Sequence, residues 1–327
     1  MNTAEPGLFA KRRRVLIFVS AIGVLAYMGL AIAVDARRLE TALVQLGIAG
    51  CGSVLALSAL NYVLRFQRWH GYVREFGHQI PWSRHLMYYL SGFAFTVSPG
   101  KAGEAVRSFY LRDHGVSYSE SLATLFVERL LDLLAIVLLA TLLVLDHPTY
   151  RPLVLIMSGV TVVAVMAATS SSIHGWLSRL SSRQPGRLGR WLAHAANLTV
   201  SSAQLLRPKL LTGGAVLGVI AWGAEGAGLY LICEALQLDV GLASAIGIYS
   251  VAALAGTAAL FLPGGIGGME IVMTALLVQA GAPLSTAVLA TLLCRLATLW
   301  FAVLIGVVAA SAAEFSAPRR ASANATS

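Results

Sequence analysis

Almost wholly apolar stretches long enough to cross a bilayer recur along this chain, and few folds can accommodate such a pattern. A hydrocarbon core of about 30 Å takes roughly 20 helical residues. Runs of that order occupy Val15–Val34, Thr41–Leu64, Ser119–Leu145, Pro152–Thr169, Leu210–Cys233 and Ser285–Ala309. Every backbone N–H and C=O must find a partner inside lipid, so repeated apolar runs of this length predict a bundle of membrane-spanning helices. Composition agrees: 57% of the 327 residues are hydrophobic and 12% are charged, with a mean hydropathy of +0.75. A soluble domain of this size needs far more polar surface. The basic cluster Lys11–Arg14 before the first run resembles a secretory leader, but no convincing cleavage site follows, and an uncleaved first span fits better.

Two further apolar regions, Leu86–Arg112 and Val240–Ala282, are each interrupted near the middle by a Pro-Gly pair. Leu86–Ser98 would reach only about 20 Å as a helix, too short to cross. Proline removes a backbone donor and biases its predecessor away from helix, and glycine permits a reversal. The predicted fold class is therefore an all-α polytopic membrane protein with about six full spans and two re-entrant helical hairpins, or eight transmembrane segments if the hairpins are counted as spans. The first hairpin turns at Pro99, Gly100 and Gly103, the second at Pro263, Gly264, Gly265, Gly267 and Gly268.

These two regions form an approximate internal repeat, with cores at 86–145 and 250–309. Glu104 precedes Gly115 by eleven residues and Arg129 by twenty-five; Glu270 stands in the same relation to Gly281 and Arg295. Three predicted spans separate the hairpins, so the copies should enter the membrane from opposite faces, forming an inverted repeat. Broken helices meeting near the midplane are how many transporters build a substrate site.

The net charge of +9 would suit a nucleic-acid partner were it concentrated on one surface, but it is distributed as a topology signal. With Arg37, Arg38 and Arg151 on the far side and Arg129 and Arg295 within spans, the other nineteen of 24 Lys and Arg residues fall on one side or at its boundary. By the positive-inside rule that side is cytoplasmic. This predicts a basic cytoplasmic N-terminus over residues 1–14, an integral membrane domain over 15–313 and a short cytoplasmic tail over 314–327. Six of the basic residues, Arg179, Arg183, Arg187, Arg190, Arg207 and Lys209, lie in a segment read as a cytoplasmic loop. Their charge is consistent with retention on that side and with contact to anionic lipid. Cys51, Cys233 and Cys294 read as small packed side chains, and His70, His78, His85 and His114 form no metal-ligand spacing. No metal or cofactor is predicted.

Intramembrane charges are costly and face a partner or an aqueous cavity. Glu128, Arg129 and Asp132 share one helix at spacings of three and four. Glu104 and Glu270 follow the two turns, and Arg129 and Arg295 occupy matching positions. With Lys101 and Arg107 these eight are the predicted cavity residues. One reading makes them salt bridges holding each hairpin to its long helix; the other has them touch a polar substrate. Backbone donors after Pro99-Gly100, together with Lys101 and arginines, would suit an anion such as a lipid phosphate. The GGIGG sequence at 264–268 lacks the setting of a dinucleotide or nucleotide-phosphate loop.

The segments SPGKAGEAVRSFYLRDHG, SESLATLFVERLLDLLAI and LPGGIGGMEIVMTALLVQAG, followed by CRLATL, occur here in order. In these the chain resembles the integral membrane region of lysylphosphatidylglycerol synthases and related bacterial flippase-like proteins. By that resemblance Pro99, Gly100, Gly103, Glu104, Arg107, Glu128, Arg129 and Asp132 match one family pattern, and Pro263, Gly264, Gly267, Gly268 and Glu270 the other. The resemblance implies a multi-pass protein of a bacterial plasma membrane acting in phospholipid or isoprenoid-lipid pathways. Full synthases add a soluble aminoacyl-transfer domain, whereas this sequence stops at Ser327, so lysyl transfer is not expected. The leading expectation is a transporter or flippase for an anionic-head lipid. The alternatives are a membrane enzyme acting on such a lipid and a scaffold for a separately encoded lipid-modifying enzyme.

Overall fold

Each apolar run lies on a helix in the computed structural model, which describes residues 6–96, 106–146, 148–184, 186–258 and 267–316. Helix α1 (Pro6–Glu75) carries both of the first two runs. A loop is expected between them, yet Asp35–Leu46 is helical: no glycine or proline interrupts it, and Ala, Arg, Leu, Gln and Glu all favour helix. The left-handed φ of +65° at Gly47 is the break in regular geometry. At the other end α1 runs eleven residues beyond the predicted limit at Leu64 and stops before Gly77, whose φ is +88°.

Short helices flank the first Pro-Gly segment: α2 (Trp82–Ser91), continued by a 3₁₀ turn at Gly92–Phe95, and α3 (Arg107–Arg112). The long helix α4 (Tyr118–Asp146) follows. Its first turn is closed by a reciprocal cap, in which Ser117 N–H donates to Glu120 Oε2 at 2.8 Å and Glu120 N–H to Ser117 Oγ at 3.2 Å. Helix α5 (Arg151–Thr169) comes next. The segment expected to be a loop instead forms two helices, α6 (Ser171–Arg183) and α7 (Arg187–Leu205). Apolar residues at helical spacing, Ile173, Trp176, Leu177 and Leu180, give α6 the amphipathic pattern that the count of loop charges obscured.

The second half repeats the arrangement with α8 (Pro208–Ala235), α9 (Leu242–Ala258), α10 (Gly268–Gln279) and α11 (Leu284–Arg295). A single π turn at Leu296–Trp300 joins α11 to α12 (Phe301–Ser316). By length and composition Leu39–Glu75, Pro148–Thr169, Pro208–Ala235 and Leu284–Ala313 can each cross a membrane. At 29 residues α4 is equally long, though it bears charges along its length.

The contacts between the halves are reciprocal. The first-half helix α4 packs on α9 of the second half, while α12 packs on α2 and its 3₁₀ extension; α1 packs along α8. The turn before α2 or α9 has a left-handed residue, Gly77 or Gln237, and the turn before α4 or α11 has Gly115 or Gly281. At the crossing of α1 and α8, Asn61 Nδ2 donates to Ala221 O at 2.9 Å, linking residues 160 apart. The same interval relates Tyr89 to Tyr249 and Arg65 to Glu225. The repeat therefore begins earlier than residue 86, in the helices before the hairpins.

Lipid supplies little hydrophobic drive for helices to associate, so close packing carries the bundle. At Gly214 an added Cβ would stand 2.2 Å from Tyr72 Oη, at Gly247 2.7 Å from the Leu143 backbone, and at Gly306 2.2 Å from Ala94 N. Gly247 and Gly306 let α9 and α12 approach their neighbours at backbone distance, and Gly214 seats the Tyr72 hydroxyl against α8.

Candidate functional site

The polar centre of the first half is built on α4. Glu128 and Asp132, one helical turn apart, are both buried. Arg65 and Arg68 on α1 reach them from one side. Arg65 Nη2 is 3.1 Å from Glu128 Oε1 and 3.0 Å from Asp132 Oδ2; Arg68 Nη2 contacts Asp132 Oδ1 at 2.5 Å and donates to the Glu128 carbonyl at 3.3 Å. From the hairpin side, Arg107 on α3 places Nη1 3.1 Å from Glu128 Oε2, and Tyr89 on α2 donates its hydroxyl to Glu128 Oε1 at 2.7 Å. Arg129 completes the group at 3.1 Å from Glu128 and 3.3 Å from Asp132.

Charge sharing of this kind is the condition for carboxylates to stay ionised away from water. The surroundings fix the fork of each guanidinium. Arg107 lies over the Tyr89 ring at 4.0 Å and the Trp69 ring at 5.2 Å, and its Nε donates to the Tyr89 carbonyl at 3.1 Å. Gly92 leaves the space for it, since a Cβ there would meet Arg107 Nε at 2.4 Å. Trp69 is held in turn by donation from Nε1 to His85 Nε2 at 2.9 Å, which directs the proton on His85 Nδ1 towards His70 Nδ1, 2.7 Å away. Arg65 lies 5.5 Å above Trp222 of α8. Among the four arginines Arg129 is the one open to the surroundings, with 29% of its side chain exposed against 7% or less for the others.

The second half is organised differently. Arg295 Nε is 2.7 Å from Glu270 Oε1, and Glu270 Oε2 accepts from the Gly267 N–H at 2.7 Å, so the carboxylate both caps α10 and ties it to α11. Gly267 takes φ +95° there, a conformation that costs glycine little. The π turn directly after Arg295 frees backbone oxygens from the regular ladder, and Tyr62 Oη donates to the Thr298 carbonyl at 2.6 Å. On α8, buried Glu225 accepts from the Tyr249 hydroxyl.

Of the eight residues that sequence assigned to the cavity, Arg107, Glu128, Arg129 and Asp132 converge, while Glu270 and Arg295 form a separate pair. Lys101 and Glu104 lie outside the described residues, as do Pro99, Gly100, Gly103, Pro263, Gly264 and Gly265. Sequence reasoning missed Arg65, Arg68, Tyr89, Glu225 and Tyr249. The first two had been assigned to the cytoplasmic boundary, where head-group anchoring is the ordinary role; they are instead buried ion-pair partners. The available signal was periodic: Tyr62, Arg65, Phe66, Trp69 and Tyr72 continue one helical face past Leu64. The four histidines likewise read as interfacial, yet His85 is fully buried. Among the described residues no group of three or more His, Cys, Asp or Glu side chains is arranged for a metal.

The charged cluster on α4 is thus built from α1, α2 and α3 of the first half, and the second half holds a smaller pair of its own. A family profile described as the lysylphosphatidylglycerol synthase TM region matches residues 14–306. The chain belongs to that family. It is also similar to a UPF0104 membrane protein of Methanothermobacter thermautotrophicus, 28% identical over 236 residues covering 65% of this chain and 70% of the archaeal one. The family is flippase-like and associated with lipid handling, and the match lies in its membrane region rather than in an aminoacyl-transfer domain. The expected bacterial setting gains no support from this relative, which is archaeal.

Proposed function

We propose that this protein moves an anionic-head lipid between leaflets, and that the cluster on α4 receives the head group. The supporting observation is the convergence of guanidinium forks: among the described residues Arg65, Arg68, Arg107 and Arg129 gather on Glu128 and Asp132, and Arg129 keeps part of its side chain exposed. Planar forks match phosphate and carboxylate geometry, and Arg129, the most exposed of the four, is the natural first contact. The remaining charges hold the hairpin arm α3 and helix α1 against α4, so head-group contact and hairpin position are mechanically joined. A lipid tail can stay in hydrocarbon while only the polar head crosses through protein.

The two Pro-Gly segments act in this reading as re-entrant turns entering from opposite faces, with both termini cytoplasmic. Cysteine accessibility scanning should then place Arg183 on the cytoplasmic face and Asp146 and Asp239 opposite. Labelling of Arg183→Cys solely from outside overturns the orientation.

The functional test uses purified protein in sealed vesicles offered phosphatidylglycerol, phosphatidylcholine and an isoprenoid phosphate as separate reporters. Movement of the anionic reporters without a change in mass supports transport. Mass-shifted products support an enzyme instead, and neither outcome with any lipid rejects the assignment.

A further inference from the structure

Between Asp146 and Glu225 the chain contains no acidic residue, and in the middle of that stretch α6 and α7 pack against each other. Both helices present the same exposed pair, an aliphatic residue followed three positions later by tryptophan. On α6 these are Ile173 at 36% and Trp176 at 58% exposure; on α7 they are Leu188 at 58% and Trp191 at 74%. Residues three apart share a helical face. Arg179, Arg183 and Arg190 are exposed on the same two helices.

We infer that α6 and α7 form a surface hairpin that docks on the anionic head groups of the leaflet at the basic side of the protein, with Trp176 and Trp191 seated at the lipid boundary. Tryptophan is an amphipathic ring suited to that depth, and each nearby arginine adds attraction to anionic lipid. A fully aqueous position would leave two indoles and two aliphatic side chains in contact with water. A soluble acidic partner would satisfy the charge. The lipid surface is favoured by continuity: α6 begins two residues after α5, a helix long and apolar enough to span, and α7 packs on α4 and α5. The last turn of α7 also meets the helix of the charge cluster, with Leu205 and Leu206 grouped with Val127, Leu130 and Leu131. Docking would therefore brace α4 beside α1, whose Tyr72 belongs to the same apolar group. This inference stands whether or not the cluster carries lipid.

The test reads tryptophan fluorescence of the full chain in vesicles containing phosphatidylglycerol or phosphatidylcholine brominated near the head group, with iodide as the aqueous quencher. The part of the signal lost in Trp176→Phe/Trp191→Phe belongs to the hairpin. The expected result is that this part is shielded from iodide and is quenched roughly twofold or more strongly by brominated phosphatidylglycerol than by brominated phosphatidylcholine. Arg179→Gln/Arg183→Gln/Arg190→Gln should abolish that preference. Free access of iodide in both membranes overturns the docking, and equal quenching by the two lipids overturns its anionic selectivity. Trp176 and Trp191 are both exposed, so the change to phenylalanine leaves the packed interior untouched, and retention of the wild-type detergent size-exclusion profile by the double variant validates the difference signal from which both overturning results are read.

Discussion

The two halves of the molecule share a backbone plan and differ in where they put charge. Around Tyr89 the first half gathers Arg65, Arg68, Arg107 and Arg129 on Glu128 and Asp132. Around Tyr249, at the matching place, the second half has Glu225 as the hydroxyl's acceptor, and Glu270 with Arg295 as a separate pair. At the positions of Glu128 and Asp132 the second half has Cys294 and Thr298. The turn glycine before the long helix, Gly115 or Gly281, is thus common to the two copies, because both chains must reverse there in the same way. Charge is tied to what each copy contacts and has diverged, leaving the first half as the anion-binding side in the reading above.

The largest effect expected from this contrast is at Glu128. Glu128→Ala leaves Arg65 and Arg107 buried without their shared acceptor, a loss of about 3 to 5 kcal/mol, and folded protein should fall sharply in detergent size-exclusion profiles. Glu225→Gln keeps a hydrogen-bond acceptor for Tyr249 and should cost clearly less. Equal losses at the two positions would erase the distinction between the halves.

Arg129→Lys separates binding from folding. It keeps the charge but loses the fork, and the most exposed arginine contributes least to packing. Protection of the protein by phosphatidylglycerol against thermal unfolding should weaken, while the midpoint without added lipid stays near wild type. A matched fall in both would mark Arg129 as purely structural. Arg295→Lys provides the converse: its buried pair with Glu270 should make stability the main loss.

Gly92→Ala crowds Arg107 from the backbone side. Overpacking of this kind typically costs about 1 to 3 kcal/mol, and lipid protection should decline with it. A neutral result would show that Arg107 can leave Glu128 without consequence.

The smallest effects concern turns. Gln237 holds φ +55° where the first copy uses Gly77, so Gln237→Gly should stabilise by roughly 0.5 to 1 kcal/mol, read as a higher thermal midpoint. In the turn after the first hairpin, burial and then the charge of Arg84 hold the His114 pKa below 6.5. An unfolded chain takes up this proton more readily, so His114 contributes stability above about pH 6.5 that is lost as pH falls through that value. His114→Gln should flatten the midpoint between about pH 7.5 and 5.5; an unchanged slope assigns the pH response to other groups.

Run length and hydropathy determined the membrane class and the helical content, because lipid leaves the backbone no other way to satisfy its donors and acceptors. The repeat was legible for the same local reason: Glu270, Gly281 and Arg295 keep the spacing of Glu104, Gly115 and Arg129, and helix-breaking and turn chemistry act over a few residues. What the sequence could not determine was which charges meet. Arg65 and Arg68 ended an apolar run and so looked interfacial, while the Glu128 they pair with lies 63 and 60 residues away. Likewise Tyr89 and Glu225 carry no local signal of their roles. Only the crossing of α1 with α8 and the packing of α1 and the hairpin on α4 brought these groups together. Ion-pair partners are chosen by distance in space, which one-dimensional periodicity does not encode.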